Sequence, residues 1–172
     1  MLRLMLLRHA KSDTIPGVAD IERPLTERGF RQATRVGHYL REQHLLPEQV
    51  VVSSATRTQQ TWQAILPAFD KPVAHITEDR IYEASVADII TVIQDTSPGP
   101  RSLLLIGHNP GLALTTQFLC GQGEAETLAR LQTGFPPASL TVMDFDVNTW
   151  EDVAEQGGRL KMFETPDTMS KA

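Results

Sequence analysis

The chain has 172 residues and a formal net charge of −5, with 16 lysine and arginine residues against 21 aspartate and glutamate residues. This length predicts one domain with a buried core, and the acidity argues against a nucleic-acid or anionic-membrane surface. No apolar run reaches the length of a membrane span, and a single cysteine excludes an internal disulfide. We therefore expect a cytoplasmic protein that binds neither nucleic acid nor membrane. Composition does not indicate its oligomeric state.

The first quarter of the chain predicts a strand, a loop and a helix. A short apolar run of strand length ends at Arg8 and His9. Turn-forming residues in 13–24 predict a loop near that strand end. Thr26 is a candidate N-cap for an amphipathic helix that reaches about residue 43.

A second strand and helix follow this first helix. The β-branched residues of 49–53 predict a buried strand, and a helix comes directly after it. Arg57 falls in the first turn of that helix, where the helix dipole disfavours a cation. Either a nearby anion or an ordinary ion pair would explain this placement.

The remaining elements continue the alternation. Strands are predicted at 73–76, 102–106, 139–145 and 159–163, and helices at 85–95, 112–120 and 124–131. Ser85 and Asp88 are spaced as an approximate capping box, and Cys120 is expected to be a core thiol. The alternation predicts an α/β three-layer sandwich with a mostly parallel central sheet, to which the last two strands could add an antiparallel edge. One domain is expected over 1–164, with a frayed tail over 165–172.

Basic side chains follow three of these strands at the point where each strand ends. Arg8 and His9 follow the first strand, Arg57 the second, and His108 the fourth. Because ligands bind beyond the carboxyl ends of strands in open α/β sheets, these groups are expected to converge. Arginine can clamp phosphate oxygens with paired donors, and a neutral histidine can attack phosphorus. The pattern predicts a phosphate pocket.

Four segments, in order over about residues 3–120, resemble a known family. They are 7–12 (LRHAKS), 23–26 (RPLT) with the following Gly29 and Gln32, 53–58 (SSATRT) and 107–111 (GHNPG). Together they resemble the histidine phosphatase superfamily, also called the phosphoglycerate mutase-like fold. The segments 8–12 (RHAKS) and 82–85 (YEAS) resemble its SixA-type phosphohistidine phosphatase branch. The resemblance implies a phosphoglycerate mutase-like sandwich and an enzyme without a cofactor.

The resemblance also implies roles for the converging side chains. His9 would be the nucleophile and would carry a transient phosphohistidine. Arg8, Arg57 and His108 would hold the three non-bridging phosphoryl oxygens and stabilise the charge of the transition state. The histidines lack a convincing carboxylate or thiolate partner set, so no metal site is expected.

Three further residues are candidates for the site. Glu83 is the candidate general acid for the leaving group, since it lies in a loop at the matching place in the branch. It could equally be a carboxylate that simply suits the start of the next helix. Ser12 and Asn109 are candidates for phosphate contacts.

The expected function is a metal-independent phosphatase that acts on a histidine-phosphorylated protein. The interval between Arg57 and His108 is largely filled by two predicted helices and two predicted strands, which leaves little sequence for a cap over the pocket. An open pocket suits a phosphoryl group presented on a protein surface. The alternatives are a phosphatase of a small phosphorylated metabolite and a non-catalytic phosphate-binding module.

Overall fold

A computed structural model describes residues 1–170 of the chain. Within these residues, seven strands and six α-helices alternate along most of the sequence. The strands are β1 (Leu2–Arg8), β2 (Gln49–Ser53), β3 (Ala74–Glu78), β4 (Ser102–Gly107), β5 (Cys120–Gly123), β6 (Leu140–Phe145) and β7 (Gly158–Glu164). The helices are α1 (Glu27–Glu42), α2 (Thr56–Ile65), α3 (Val86–Gln94), α4 (Gly111–Leu119), α5 (Ala125–Gln132) and α6 (Pro166–Met169).

All seven strands form one sheet in the order β3-β2-β4-β1-β6-β7-β5. Strands β1 to β4 pair in parallel, β6 runs antiparallel to both of its neighbours, and β5 pairs in parallel with β7. The α/β class and the mostly parallel sheet are therefore confirmed. The last two strands could have added an antiparallel edge, but the antiparallel strand β6 lies inside the sheet. It is flanked by β1 on one side and by the β7–β5 pair on the other.

The buried side chains form two hydrophobic clusters that use alternating residues of the central strands. Leu4 and Leu6 of β1 belong to the cluster that includes residues of α3 and α4. Met5 and Leu7 belong to the cluster that includes residues of α1 and α2. Successive side chains of a strand point to opposite faces of the sheet, so the alternation supports helices on both faces. The two clusters support the three-layer sandwich, which stays a prediction.

One strand was absent from the sequence prediction. The helix expected to reach residue 120 ends at Leu119, and Cys120 begins β5, where its side chain is half-buried and packs against the core instead of lying within it. A Cβ on Gly121 would lie 1.9 Å from the carbonyl oxygen of Gln156, so the backbones approach closely there. Glycines supply no alternating apolar pattern, which explains why β5 leaves no signal in the sequence.

The end of the described chain forms a short helix in the segment where fraying was predicted. Thr165 caps the short helix α6 through a reciprocal capping box with Thr168. Met169 is fully buried in the cluster that includes α1, and its carbonyl oxygen accepts a 2.6 Å hydrogen bond from Arg35 of that helix. The frayed tail over 165–172 stays a prediction, which these contacts do not favour for residues 165–169, while residues 171–172 lie outside the described residues. The single domain over 1–164 stays a prediction.

Candidate active site

The end of β1 fixes the backbone that carries the predicted nucleophile. The amide of His9 donates to the carbonyl oxygen of Gly107 at 3.0 Å, and the carbonyl oxygen of His9 accepts from the amide of Ala138 at 3.0 Å. The histidine is thus held between the ends of two neighbouring strands, and its side chain is 6% exposed. These bonds place it at the carboxyl edge of the parallel part of the sheet, as the sequence predicts.

The His9 ring has a defined tautomer. Its Nδ1 lies 2.7 Å from the carbonyl oxygen of Ala10. Because a carbonyl oxygen only accepts, Nδ1 carries the proton and Nε2 carries the free electron pair. Burial lowers the pKa of His9 to about 4 despite the Ala10 carbonyl, and the charges of nearby arginines, Arg57 first, add to the shift. The imidazole is therefore neutral at neutral pH, as nucleophilic attack requires.

The second histidine lies beside the first, just beyond the end of β4. The ring centroids of His9 and His108 are 5.4 Å apart. Nε2 of His108 lies 2.7 Å from the hydroxyl oxygen of Ser53, and its Nδ1 is buried without a partner among residues 1–170. Burial, with the neighbouring His9 and Arg57, lowers the pKa of His108 to about 3. A bound phosphoryl dianion would raise that pKa, so His108 could take up a proton when an anion binds.

Arg57 is almost fully buried in the first turn of α2. Its two terminal nitrogens donate to Asp20, one to the carbonyl oxygen at 2.7 Å and the other to the carboxylate at 3.2 Å. Arg57 therefore forms an ion pair, which is one of the two explanations offered for a cation in the first turn of a helix. Its Nε is buried without a partner among the described residues, so this N–H and the second N–H of each terminal nitrogen are available to a further group.

Arg8 adds a second guanidinium to the same region. One terminal nitrogen donates to the carbonyl oxygen of Phe135 at 2.9 Å, while its Nε is buried and unpartnered within residues 1–170. Burial lowers the pKa of Arg8, and the charge of Arg57 lowers it further. Two mutually repelling guanidinium groups and two neutral histidines thus meet at one sheet edge. This arrangement favours binding of an anion.

Glu83 lies in the loop before α3, on the His108 side of the pocket. It is exposed and has a left-handed backbone, with φ of 51°. Glu83 and His108 line the same cavity of about 500 Å³. The position allows the carboxyl group to meet a leaving group, although it makes no hydrogen bond within residues 1–170.

The other two candidates are engaged in contacts within the protein. The hydroxyl oxygen of Ser12 accepts from Arg23 at 3.1 Å. The side-chain amide of Asn109 donates to the carbonyl oxygen of Phe135 at 2.9 Å, and its oxygen accepts from the amide of Ala113 at 3.2 Å. These bonds place both residues around the pocket, where they position their neighbours. Direct phosphate contact by Ser12 or Asn109 stays a prediction.

Sequence reasoning missed three residues that support the pocket. Ser53, to which the sequence assigned no role in the site, contacts His108. The carboxylate of Asp20 accepts hydrogen bonds from Tyr82, Arg23 and Arg57, which together lower the pKa of Asp20 to about 2. The bond to Asp20 in turn raises the pKa of Tyr82 to about 12. These contacts join segments that are distant in sequence, so no local pattern predicts them. The only available signal was the position of Asp20 in the predicted loop near the site.

The described residues contain neither a metal-type cluster nor a membrane-length helix. In residues 1–170, no group of three or more histidine, cysteine, aspartate or glutamate side chains is placed to hold a metal ion. Over the same residues, every helix is too short or too polar to cross a bilayer.

Sequence comparison relates the chain to one family. The sequence model of the histidine phosphatase superfamily (branch 1) matches residues 4–89. A protein of Mycobacterium tuberculosis (strain ATCC 25618 / H37Rv) is 31% identical over 163 residues, which cover 93% of this chain and 99% of that protein.

Solved structures agree in fold over almost the whole chain. A structure from Agrobacterium tumefaciens, named for phosphohistidine phosphatase SixA, is 31% identical with a TM-score of 0.81 and covers 96% of this chain and 98% of its own. A SixA-named structure from Nakamurella multipartitia is 27% identical, also with a TM-score of 0.81, and covers 96% of each chain. A protein histidine phosphatase SixA complexed with tungstate is 21% identical with a TM-score of 0.78 and shows the shared fold alone, over 96% of this chain and 98% of its own.

Proposed function

Because the chain belongs to the histidine phosphatase superfamily, in its SixA-type branch, we propose that it hydrolyses phosphohistidine on proteins. The observation that carries the proposal is the tautomer, the low pKa and the cationic surroundings of His9. Its Nε2 has a free electron pair, its pKa lies far below neutral pH, and two arginines adjoin it. A poised nucleophile in a cationic pocket suits phosphoryl transfer without a metal ion.

The proposed reaction has two displacement steps. Nε2 of His9 attacks the phosphorus, a new P–N bond forms, and the P–N bond of the substrate breaks. The departing imidazole of the substrate takes up a proton, for which Glu83 is our proposed donor. Water then attacks the phosphorus on His9, which releases inorganic phosphate and restores the free imidazole. Arg8, Arg57 and a His108 protonated by the bound anion would stabilise the charge in both steps.

Exposed apolar side chains near the pocket support a protein substrate. Ile15 and Ile21 are 39% and 38% exposed in the loop that carries Asp20. Because Asp20 contacts Arg57, this loop borders the pocket. Exposed apolar residues at such a rim are typical of protein contact sites. A phosphohistidine on a protein surface could reach the pocket while its surroundings cover these residues.

The test is phosphate release from a histidine-phosphorylated carrier protein in the presence of EDTA. Wild type is compared with His9→Ala and with His38→Ala, which removes an exposed histidine of α1. We expect rapid release by wild type and His38→Ala, none above background by His9→Ala, and little turnover of glucose 6-phosphate. Preferred turnover of glucose 6-phosphate would instead indicate a metabolite phosphatase. Phosphate binding without release from either substrate would indicate a non-catalytic module.

A further inference from the structure

A second cavity adjoins the phosphate pocket through Arg8. It has a volume of about 690 Å³ and lies between the loop before β6, the end of α5 and the segment that enters α6. Arg8 lines it, and so does Arg130 of α5. A group attached to a phosphoryl substrate could therefore extend from the pocket into this cavity. None of the proposed chemical steps uses it.

A continuous series of contacts connects the two arginines along the cavity wall. Arg8 donates to the carbonyl oxygen of Phe135, and the Phe135 ring stacks on Phe163 with centroids 5.7 Å apart and an angle of 23°. The guanidinium carbon of Arg130 lies 5.4 Å from the centroid of the Phe163 ring. Stacking on an aromatic ring restricts a guanidinium while leaving its N–H donors available. Arg130 is thus held at the wall of the cavity.

The charge of this wall is positive, in contrast to the chain as a whole. Arg130 lies in the last turn of α5, where the helix dipole favours a cation, and that alone could explain its presence. Within residues 1–170, however, it forms no ion pair with a carboxylate. Asp167 also lines the cavity without pairing to either arginine. The wall therefore carries two cations against one anion on a chain whose net charge is −5.

We propose that this cavity binds a carboxylate of the phosphorylated substrate, through Arg130. The inference rests on the proposed function, and it identifies the carboxylate as an aspartate or glutamate next to the phosphohistidine of the partner protein. Arginine suits this role because its planar donors match a carboxylate. The same residue would then contribute to the choice among histidine-phosphorylated proteins, since substrates without the acidic neighbour would lose this contact.

The test compares two histidine-phosphorylated peptides of equal length. One carries aspartate and glutamate beside the phosphohistidine, and the other carries asparagine and glutamine. The measured quantity is the ratio of kcat/KM for the acidic peptide to kcat/KM for the neutral one. We expect a ratio of about five for wild type, since a partly exposed charge pair is worth up to about that factor. Arg130→Ala should bring it close to one. Arg159→Ala, which removes an exposed arginine of β7, should retain the wild-type ratio.

Charge reversal provides a second readout. Arg130→Glu should prefer a third peptide, with lysines beside the phosphohistidine, over the acidic peptide. A wild-type ratio of one, or equal ratios for wild type and Arg130→Ala, would overturn the carboxylate site. The reversed preference would show that Arg130 acts through its charge and not through packing alone.

The same variants separate this inference from the proposed function. If wild type hydrolyses no phosphohistidine peptide, 6-phosphogluconate is compared with glucose 6-phosphate, because only the former carries a carboxylate. A preference for 6-phosphogluconate that Arg130→Ala removes would support the carboxylate site and contradict the protein substrate. The lack of such a preference would overturn both proposals.

Discussion

The two guanidinium groups of the pocket are held in place before any substrate arrives. Arg57 is fixed by two bonds to Asp20, and its buried Nε has no partner within residues 1–170. Preorganised donors stabilise a transition state without reorganisation at the moment of reaction. Because the side chain is buried and paired, its removal would also leave Asp20 with one cation fewer. Since Arg57 is almost fully buried, we expect its substitution to change the rate of the reaction and not merely the charge of the surface.

We predict that Arg57→Ala lowers kcat/KM for the histidine-phosphorylated carrier by about 10²–10³, by analogy with the loss of one oxyanion-hole donor. Arg57→Lys should recover little of this loss, since an ammonium group cannot reproduce bidentate contact. Arg41→Ala, at an exposed position of α1, serves as the control. Initial rates of phosphate release measure the effect. A decrease of less than tenfold for Arg57→Ala would mean that this residue has no large role in the reaction.

Glu83 offers a second prediction at the scale of one side chain. If it protonates the leaving group, Glu83→Gln should reduce kcat on a phosphomonoester about 100-fold and remove one ionisation from the pH profile. The reduction should be smaller for phosphohistidine, because imidazole is the better leaving group. Glu126→Gln, which changes an exposed acid in the first turn of α5, is the control. If neither variant changes the pH profile, Glu83 is not the general acid, and its carboxylate only suits the positive end of the helix dipole of α3.

At the scale of the element, short-range signals predicted the starts of α1 and α3 correctly. Thr26 accepts a hydrogen bond from the amide of Gly29 at 3.0 Å, as an N-cap should. Ser85 and Asp88 form the predicted capping box, with both bonds at 3.1 Å. Such caps act within one turn, so the local sequence contains all the information needed. The contact between Ser53 and His108 joins two different strand ends, and no local pattern could reveal it.

The close approach of α4 to the loop that carries Glu83 depends on Gly111. A Cβ at this position would lie 2.9 Å from both the carbonyl oxygen of Ala84 and a terminal carbon of Ile89. We predict that Gly111→Ala lowers the free energy of unfolding by about 1–3 kcal/mol, as overpacking commonly does. It should also lower kcat, because His108 and Glu83 flank this contact. Thermal denaturation and initial rates would measure the two effects.

Gly99 provides the control for that substitution. A Cβ there would meet no atom within 4 Å, so Gly99→Ala should change neither stability nor activity appreciably. Equal effects of the two substitutions would show that the close packing at Gly111 is not what matters.

At the scale of the whole molecule, the fold keeps two histidines neutral in its interior. The alternation of strands and helices and the convergence of Arg8, His9, Arg57 and His108 were predictable, because strand ends of a parallel sheet share one edge. The depth at which those histidines are buried was not predictable, since it depends on how the loops pack over the sheet edge. Burial gives the histidines their low pKa values, and it therefore couples the pocket to the stability of the entire chain.

This coupling predicts the direction in which stability changes with pH. The pKa of His9 is about 4 and that of His108 about 3, against an ordinary value of 6.5. Between the folded and ordinary values the unfolded chain binds more protons, so stability is present above pH 6.5 and is lost as the pH falls towards 4 and 3. At about 1.4 kcal/mol per pH unit, His9 contributes on the order of 3 kcal/mol and His108 on the order of 5 kcal/mol across its window. Urea unfolding at a series of pH values should show this decrease. The slope should be shallower for His9→Ala and unchanged for His38→Ala. A slope that His9→Ala leaves unaltered would contradict the burial of a neutral imidazole at this site.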